Sequence, residues 1–176
     1  TSAGTLLHAG VSEAVGAAAL DLVRGGLRLG ASATAELLRT AGRTRPRLAA
    51  RHALRLAQQA TADDSWKLGD TVLEISERGA RCLQIIVHLP TLTEVLDEVL
   101  ALLRPRPHLG RWLLQATAGA GDSWPGLAPE QCVAVYEWAK DVAPPERRLR
   151  PGESGSIAPA SNFPQRILGR LEQDES

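Results

Sequence analysis

The chain has 176 residues, of which 44% are hydrophobic and 23% are charged, and this composition excludes global disorder. Its formal net charge of zero excludes an overall electrostatic attraction to nucleic acid. Aromatic residues make up only 3% of the chain, so the core must be built from Leu, Val, Ile and Ala, which favours helices.

The first two predicted helices lie in the N-terminal quarter of the chain. Apolar residues between positions 5 and 29 recur at helical spacing, and Gly25-Gly26 predicts a break. A shorter helix follows, with Ser32 or Thr34 as its predicted N-cap and an end near Gly42.

The third predicted helix follows Pro46 and carries an arginine stripe. Arg47, Arg51 and Arg55 are spaced four residues apart, so they share one face. The opposite, inward face is predicted to contain Leu48, Leu54, Leu56 and Ala60.

Two further helices are predicted to begin at capping boxes. Thr71 and Glu74 have the required spacing for a helix that ends at Pro90 and buries Val72, Ile75, Leu83, Ile86 and Val87. The β-branched run within residues 83–89 leaves a short buried strand as the alternative. Thr91 and Glu94 repeat the spacing, before a strongly amphipathic helix that buries Leu92, Val95, Leu96, Val99, Leu100 and Leu103.

The last two helices of the body are bounded by prolines. Pro105 and Pro107 end the preceding helix, and a new one is predicted over residues 109–118. Pro129 then begins a helix that Pro144-Pro145 ends. Its predicted inward residues are Val133, Tyr136, Ala139 and Val142.

A sequence motif occurs twice in the chain and predicts an internal duplication. Arg-Pro-x-Leu, Gln-Ala-Thr-Ala and Asp-Ser-Trp begin at residues 45, 59 and 64 and recur in the same order at residues 106, 115 and 122. The predicted unit is helix, Arg-Pro turn, helix, Asp-Ser-Trp turn, helix, with copies at about 43–90 and 104–143. Such units either stack around a concave binding surface or pack into one closed bundle.

The tryptophans have two interpretations. In the repeated turns, Trp66 and Trp124 are predicted to cover the end of the core. Alternatively, exposed members of the set Trp66, Trp112, Trp124 and Trp138 anchor a ligand or partner protein.

The basic residues are unevenly distributed. Residues 1–60 contain eight Arg and three acids, whereas residues 61–103 contain eight acids and three bases. The cluster Arg43, Arg45, Arg47, Arg51 and Arg55 therefore suggests binding to phosphates of nucleic acid or an anionic membrane. No aromatic residue is interleaved with it, so we favour pairing with the acidic segment 63–98.

The composition changes near residue 150. Residues 151–162 are rich in Pro, Gly and Ser and predict a linker after a helical-repeat domain at 1–150. Residues 163–173 predict a short docking helix, which packs on this chain or in the groove of a partner. Its apolar face comprises Phe163, Ile167, Leu168 and Leu171.

No pattern in the sequence indicates a reaction centre. The four histidines are isolated from one another and from the cysteines, and the glycine-rich loops match no phosphate-binding motif. We therefore predict no catalytic residue, cofactor or metal site. Cys82 and Cys132 lie far apart in apolar segments and predict buried free thiols rather than a disulfide, which favours the cytoplasm or another reducing compartment.

These observations predict an all-α, internally duplicated helical protein with no transmembrane segment. The function that fits best is a non-enzymatic adaptor or assembly subunit, which binds partner proteins through helical faces and the C-terminal segment. The alternative is an arginine-mediated binder of nucleic acid or an anionic membrane, and an enzyme ranks third.

Overall fold

The structure is a computed structural model that describes residues 2–25, 29–59, 65–117 and 124–142. The described residues form seven α-helices, one 3₁₀ turn and a two-stranded antiparallel sheet, so the predicted all-α class is confirmed in its main feature. In chain order the elements are α1 (Ser2–Arg24), α2 (Ala31–Thr44), α3 (Pro46–Gln58), β1 (Trp66–Leu68), β2 (Thr71–Leu73), α4 (Glu77–Ile86), the 3₁₀ turn (Leu92–Glu94), α5 (Leu96–Leu103), α6 (Pro107–Thr117) and α7 (Pro129–Val142).

Helix α4 occupies the centre of the fold. It packs against α2, α3 and α6, and α5, α6 and α7 pack against one another. Helix α1 packs against α2, where Gly16 lies so close to Thr44 that an added Cβ atom would overlap the Thr44 hydroxyl. Close helix contact of this kind requires a residue without a side chain, so Gly16 sets the distance between α1 and α2.

Each of the two Arg-Pro positions lies between two helices. Arg45 leaves the helical region with φ of −133° and ψ of 59°, because a following proline disfavours helical backbone. Pro46 and Pro107 then occupy the first position of α3 and α6, where a missing backbone N–H costs little. In contrast, α2 begins after Gly30 without a side-chain cap, so the prediction of Ser32 or Thr34 as its N-cap is wrong.

The first predicted capping box is wrong, because Thr71 belongs to a β-hairpin. Residues Gly69 and Asp70 form its two-residue turn, with Gly69 at a φ of 62° that favours glycine. Helix α4 starts later, where the Ser76 hydroxyl accepts a hydrogen bond of 3.2 Å from the Gly79 backbone N–H. Of the run at 83–89, residues 83–86 are helical, so the strand alternative was wrong, but the helix ends at Ile86 rather than at Pro90.

The second predicted capping box is wrong as well. Thr91 precedes a 3₁₀ turn and caps no helix, and its buried hydroxyl makes no hydrogen bond within the described residues. Helix α5 begins at Leu96. The predicted inward residues of this segment are nevertheless correct, since Leu92, Val95, Leu96, Val99, Leu100 and Leu103 are all buried.

The inward faces of α3 and α7 differ from the prediction. Leu48 and Val133 are exposed, as is Val72 in β2. Alanines form much of the buried face of α3, which consists of Ala49, Ala50, Ala53, Leu54 and Ala57. The buried face of α7 consists of Cys132, Val135, Trp138, Ala139 and Val142.

Three helices lie around each Arg-Pro position among the described residues. Asp64, Asp122 and Ser123 of the predicted Asp-Ser-Trp turns lie outside the described residues, and Trp66 lies in β1 rather than in a turn. Helices α2, α3 and α4 surround the first Arg-Pro position, and α5, α6 and α7 surround the second. The two sets differ in detail, because a hairpin separates α3 from α4 but no strand separates the described parts of α6 and α7. The internal duplication itself stays a prediction, and the predicted linker at 151–162 and helix at 163–173 lie outside the described residues.

Candidate functional site

The four tryptophans form two pairs within the fold. The rings of Trp66 and Trp112 meet edge to face with centroids 5.7 Å apart, and those of Trp124 and Trp138 are 5.6 Å apart. Trp112, Trp124 and Trp138 are at most 7% exposed, and only Trp66 has partly accessible surface. The burial of Trp124 agrees with its predicted structural role, and Trp66 is the one member of the set with partly accessible surface.

Arg81 adds a cation to the Trp66–Trp112 pair. Its guanidinium carbon lies 5.6 Å from the Trp66 ring centroid and 5.9 Å from that of Trp112. The carboxylate of Glu77, one turn earlier on α4, lies 3.7 Å from the Arg81 side chain. The arrangement holds the hairpin against α6 through cation–π contacts.

The five clustered arginines have different environments. Arg45 binds Glu13 at 3.2 Å and Arg47 binds Glu94 at 2.7 Å, so only the second pair follows the predicted pairing with the acidic segment. Arg43, Arg51 and Arg55 form no ion pair within the described part of the chain. The exposed side chains of Arg47, Arg51 and Arg55 run along α3, and we call this set the α3 ridge.

A cavity of about 480 Å³ lies between the C-terminal turns of α2 and α4, and we call it the Arg43 groove. Arg39 and Arg43 are exposed at its rim, Gln84 and His88 are half-buried, and the other lining residues include three buried ones. No carboxylate lines it. The complete lining is Arg39, Gly42, Arg43, Gln84, Ile85, His88, Leu89 and Pro90.

A smaller cavity of about 290 Å³ lies between β2 and α6. It is lined by Thr71, Leu73, His108, Arg111, Trp112 and Gln115. The Glu74 carboxylate next to β2 accepts a hydrogen bond of 3.1 Å from the Leu109 backbone N–H and thereby fixes the N-terminus of α6.

Helix α1 presents an apolar strip to solvent, which we call the α1 stripe and define as Val15, Ala18 and Leu22. Val15 is 49% exposed and Leu22 is 46% exposed, and Ala18 between them is also exposed. Steps of three and four residues place all three on one face of the helix. The opposite face is fixed to the protein through Gly16, Ala19 and Leu20, which are buried.

Both cysteines lie in the core. Cys82 and Cys132 are buried and form no disulfide, as predicted, and burial raises the pKa of the Cys82 thiol to about 12. A thiol with such a pKa is protonated at neutral pH and is a poor nucleophile. The described residues also include no group of three His, Cys, Asp or Glu side chains placed to hold a metal ion.

His52 on α3 is joined to the end of α1. Its Nε2 accepts a hydrogen bond of 2.8 Å from Arg24 Nε, while Arg24 also lies 3.9 Å from Asp21. Partial burial, followed by the charges of Arg24 and Arg55, lowers the pKa of His52. The imidazole is therefore a neutral acceptor at physiological pH.

The sequence placed Arg43 in the arginine cluster but did not reveal the groove in which it lies. Arg39 and Arg43 are four residues apart and were recognisable as one helix face, whereas Gln84 lies on α4 and His88 two residues beyond its end. The packing of α2 against α4, which brings these residues together, has no local signature in the sequence. The predicted partner residues Phe163, Ile167, Leu168 and Leu171 lie outside the described part of the chain.

None of the described helices is both long and apolar enough to cross a bilayer. Comparison of the chain with protein-family models, with curated proteins and with solved structures finds no match.

Proposed function

We propose that the protein is a non-enzymatic adaptor or assembly subunit that binds a partner protein through helical faces. The observation that carries the proposal is the α1 stripe, a continuous apolar face on a long helix whose other face is fixed to α2. Val15 and Leu22 are nearly half exposed, and together with Ala18 they form one apolar patch rather than single scattered side chains.

The spacing of the α1 stripe specifies the kind of partner. Residues 15, 18 and 22 follow the three-and-four pattern with which one helix packs along another. We therefore propose that the partner contributes a helix with the same apolar spacing. A flat or extended partner segment would cover the three side chains less evenly.

The C-terminal segment is the second contact in this proposal. Phe163, Ile167, Leu168 and Leu171 have the spacing of one apolar helix face, and the preceding residues 151–162 have linker composition. Such a segment can reach a partner surface away from α1. The two buried thiols, which form no disulfide, agree with a reducing compartment such as the cytoplasm, and this location forms part of the same proposal.

The test is photo-crosslinking with benzoylphenylalanine in place of Ala18, in a lysate of the source cells. A crosslink to one protein is expected, and it should be lost from the double variant Val15→Asp, Leu22→Asp. Val133→Asp is the matched control, because Val133 is also 49% exposed but lies on α7. A deletion after residue 150 should weaken retention of the same partner without removing the crosslink.

Two results would contradict the proposed role of α1. One is a crosslink that persists equally in the double variant and in Val133→Asp. The other is a crosslink to residues 163–171 of the same chain, which would mean that the C-terminal segment covers the α1 stripe in cis.

The alternative function is binding of nucleic acid or an anionic membrane by the α3 ridge. It is supported by the exposure of Arg47, Arg51 and Arg55 and by the absence of an ion pair at the last two within the described residues. Replacement of all three by Glu should then abolish binding to an RNA oligonucleotide or to phosphatidylglycerol vesicles. Binding should also weaken as salt rises, and nuclease treatment distinguishes the two ligands in lysate.

A further inference from the structure

We propose that the Arg43 groove binds a small amphiphilic oxyanion, with a carboxylate or phosphate head at Arg39 and Arg43 and a short hydrocarbon chain over Ile85 and Leu89. This inference concerns a surface separate from the α1 stripe and does not depend on the adaptor role. Three features of the groove support it.

The first feature is the charge at the rim. Arg39 and Arg43 lie on successive turns of α2, so both guanidinium groups border the same side of the groove. Arg39 is paired with Glu36, whereas Arg43 has no ion pair among the described residues, and no carboxylate lines the cavity. A guanidinium group binds carboxylate and phosphate oxygens through paired N–H donors.

The second feature is the apolar floor. Ile85, in the last turn of α4, and Leu89, three residues beyond its end, are 3% and 7% exposed. Leu89 lies against bare backbone of α2, because a Cβ atom at Gly42 would be 2.6 Å from its Cδ2 atom. The volume of about 480 Å³ is within the range of small-molecule sites, so the groove has room for a chain as well as a head.

The third feature is the order of these groups across the groove. Gln84 and His88 lie four residues apart and are half-buried on the α4 side, while the two arginines lie on the α2 side. Polar groups therefore flank both edges of a floor that is apolar. A ligand with a charged head and a hydrocarbon chain satisfies both parts, whereas inorganic phosphate or an alkane satisfies only one.

Arg43 has a second effect that the experiment must separate from binding. It lies in the last turn of α2, where a cation stabilises the helix by interacting with the unpaired carbonyl groups. Loss of that interaction would change stability but would not change affinity for an anion. Arg39 lies a full turn earlier, so this effect does not extend to it.

The experiment is isothermal titration calorimetry of the full chain with octanoate and with octyl phosphate, each below its micellar concentration. Saturable one-site binding of at least one is expected. Acetate, which lacks the chain, and octanol, which lacks the charge, should each bind about tenfold more weakly or not at all. Binding of octanoate alone assigns a carboxylate head, and binding of octyl phosphate alone assigns a phosphate head.

Three variants locate the site. Arg43→Gln should weaken binding by about tenfold, and Arg39→Gln should weaken it by a smaller factor, because Glu36 already shares the Arg39 charge. Gly42→Ala adds a methyl group that pushes Leu89 into the groove, so it should weaken the octyl ligands without a change of charge. Arg51→Gln, on the exposed face of α3, is the matched control and should bind like the wild type.

The proposal is overturned by any of three results. They are no saturable binding of either anion, equal binding of octanol, and unchanged affinity in both Arg43→Gln and Gly42→Ala. Circular dichroism tests whether each variant is folded. If either Arg43→Gln or Gly42→Ala is not folded, the remaining one of these two variants and Arg39→Gln decide the outcome.

Discussion

Trp124 combines an unfavourable backbone conformation with complete burial of its side chain. Its φ of 61° lies in the left-handed region, which costs a residue with a Cβ atom about 1–2 kcal/mol. The indole is 0% exposed and packs on Trp138, and the Trp124 backbone N–H donates to the Val87 carbonyl at 2.7 Å. Burial of a large aromatic ring outweighs a cost of that size, so side-chain packing determines the local backbone.

We expect Trp124→Ala to lower the free energy of unfolding by about 3–5 kcal/mol, since it leaves a large cavity in the core. The matched control is Trp66→Ala, in the other copy of the motif, which should cost less because Trp66 is partly exposed. Urea denaturation followed by circular dichroism measures both. An equal loss in the two variants would mean that the contacts of Trp66 with Trp112 and Arg81 matter as much as burial of Trp124.

The tryptophans also show what could be inferred from single residues. Two of them stand in a repeated motif, which predicted a structural role, and the burial of Trp124 agrees with it. Trp112 and Trp138 were predicted only as members of a set whose exposed residues bind a partner. Their burial depends on the packing of α6 and α7 against other helices, and no local pattern encodes it.

At the scale of one helix, a residue with the spacing of a capping box before α4 instead stabilises the start of another helix, α6. Glu74 has capping-box spacing from Thr71, yet its carboxylate binds the N-terminus of α6. The Gly69-Asp70 pair was a recognisable two-residue hairpin turn between short apolar runs. A hairpin turn at Gly69-Asp70 is incompatible with a helix that begins at Thr71, so this turn alone predicts a later start for α4.

Ser76→Ala is expected to lower the free energy of unfolding by about 1 kcal/mol, because it removes the acceptor for the Gly79 N–H at the start of α4. Thr71→Ala is the control, since Thr71 is exposed in β2 and caps no helix. Thermal unfolding of the two variants in the same buffer is the measurement. A larger loss in Thr71→Ala would mean that this position of the hairpin contributes more to stability than the Ser76 cap does.

The inward faces of α3 and α7 were predicted less well than that of α5, for a physical reason. In α5 the large apolar residues are also the buried ones, so periodicity alone identified them. In α3 the close contacts with α2 and α4 favour Ala49 and Ala53, while the larger Leu48 is 39% exposed. Hydrophobicity ranks leucine above alanine, but the short distance between packed helices selects the smaller residue.

At the scale of the whole molecule, the contact between α2 and α4 forms the groove, and the exposed face of α1 forms the stripe. Both depend on which helices meet, and residues far apart in sequence determine those contacts. The sequence therefore predicted the helical class, and it placed Arg43 in a cluster of arginines. It predicted neither the Arg43 groove nor the α1 stripe. The isolated position of the histidines in the sequence likewise hid the contact of His52 with Arg24.

That contact joins α1 to α3 and makes their association dependent on pH. His52 can accept the Arg24 N–H at Nε2 only while that nitrogen carries no proton. Partial burial is the largest cause of the lowered pKa of His52, and the charges of Arg24 and Arg55 lower it further. The pKa of His52 in the folded protein therefore lies below the ordinary value of 6.5. The unfolded chain then binds the proton more readily than the folded protein does.

The stabilising contribution of His52 is thus complete above about pH 6.5 and is lost as the pH falls through the lower folded pKa. We expect the wild type to show a larger decrease in Tm between pH 7.5 and pH 5 than His52→Gln, since glutamine accepts a hydrogen bond without titrating. The two proteins share every ionisable residue except His52, so the difference between the two decreases in Tm isolates His52. Equal decreases would mean that protonation of His52 does not change stability, and that the Arg24–His52 bond does not contribute to the attachment of α1.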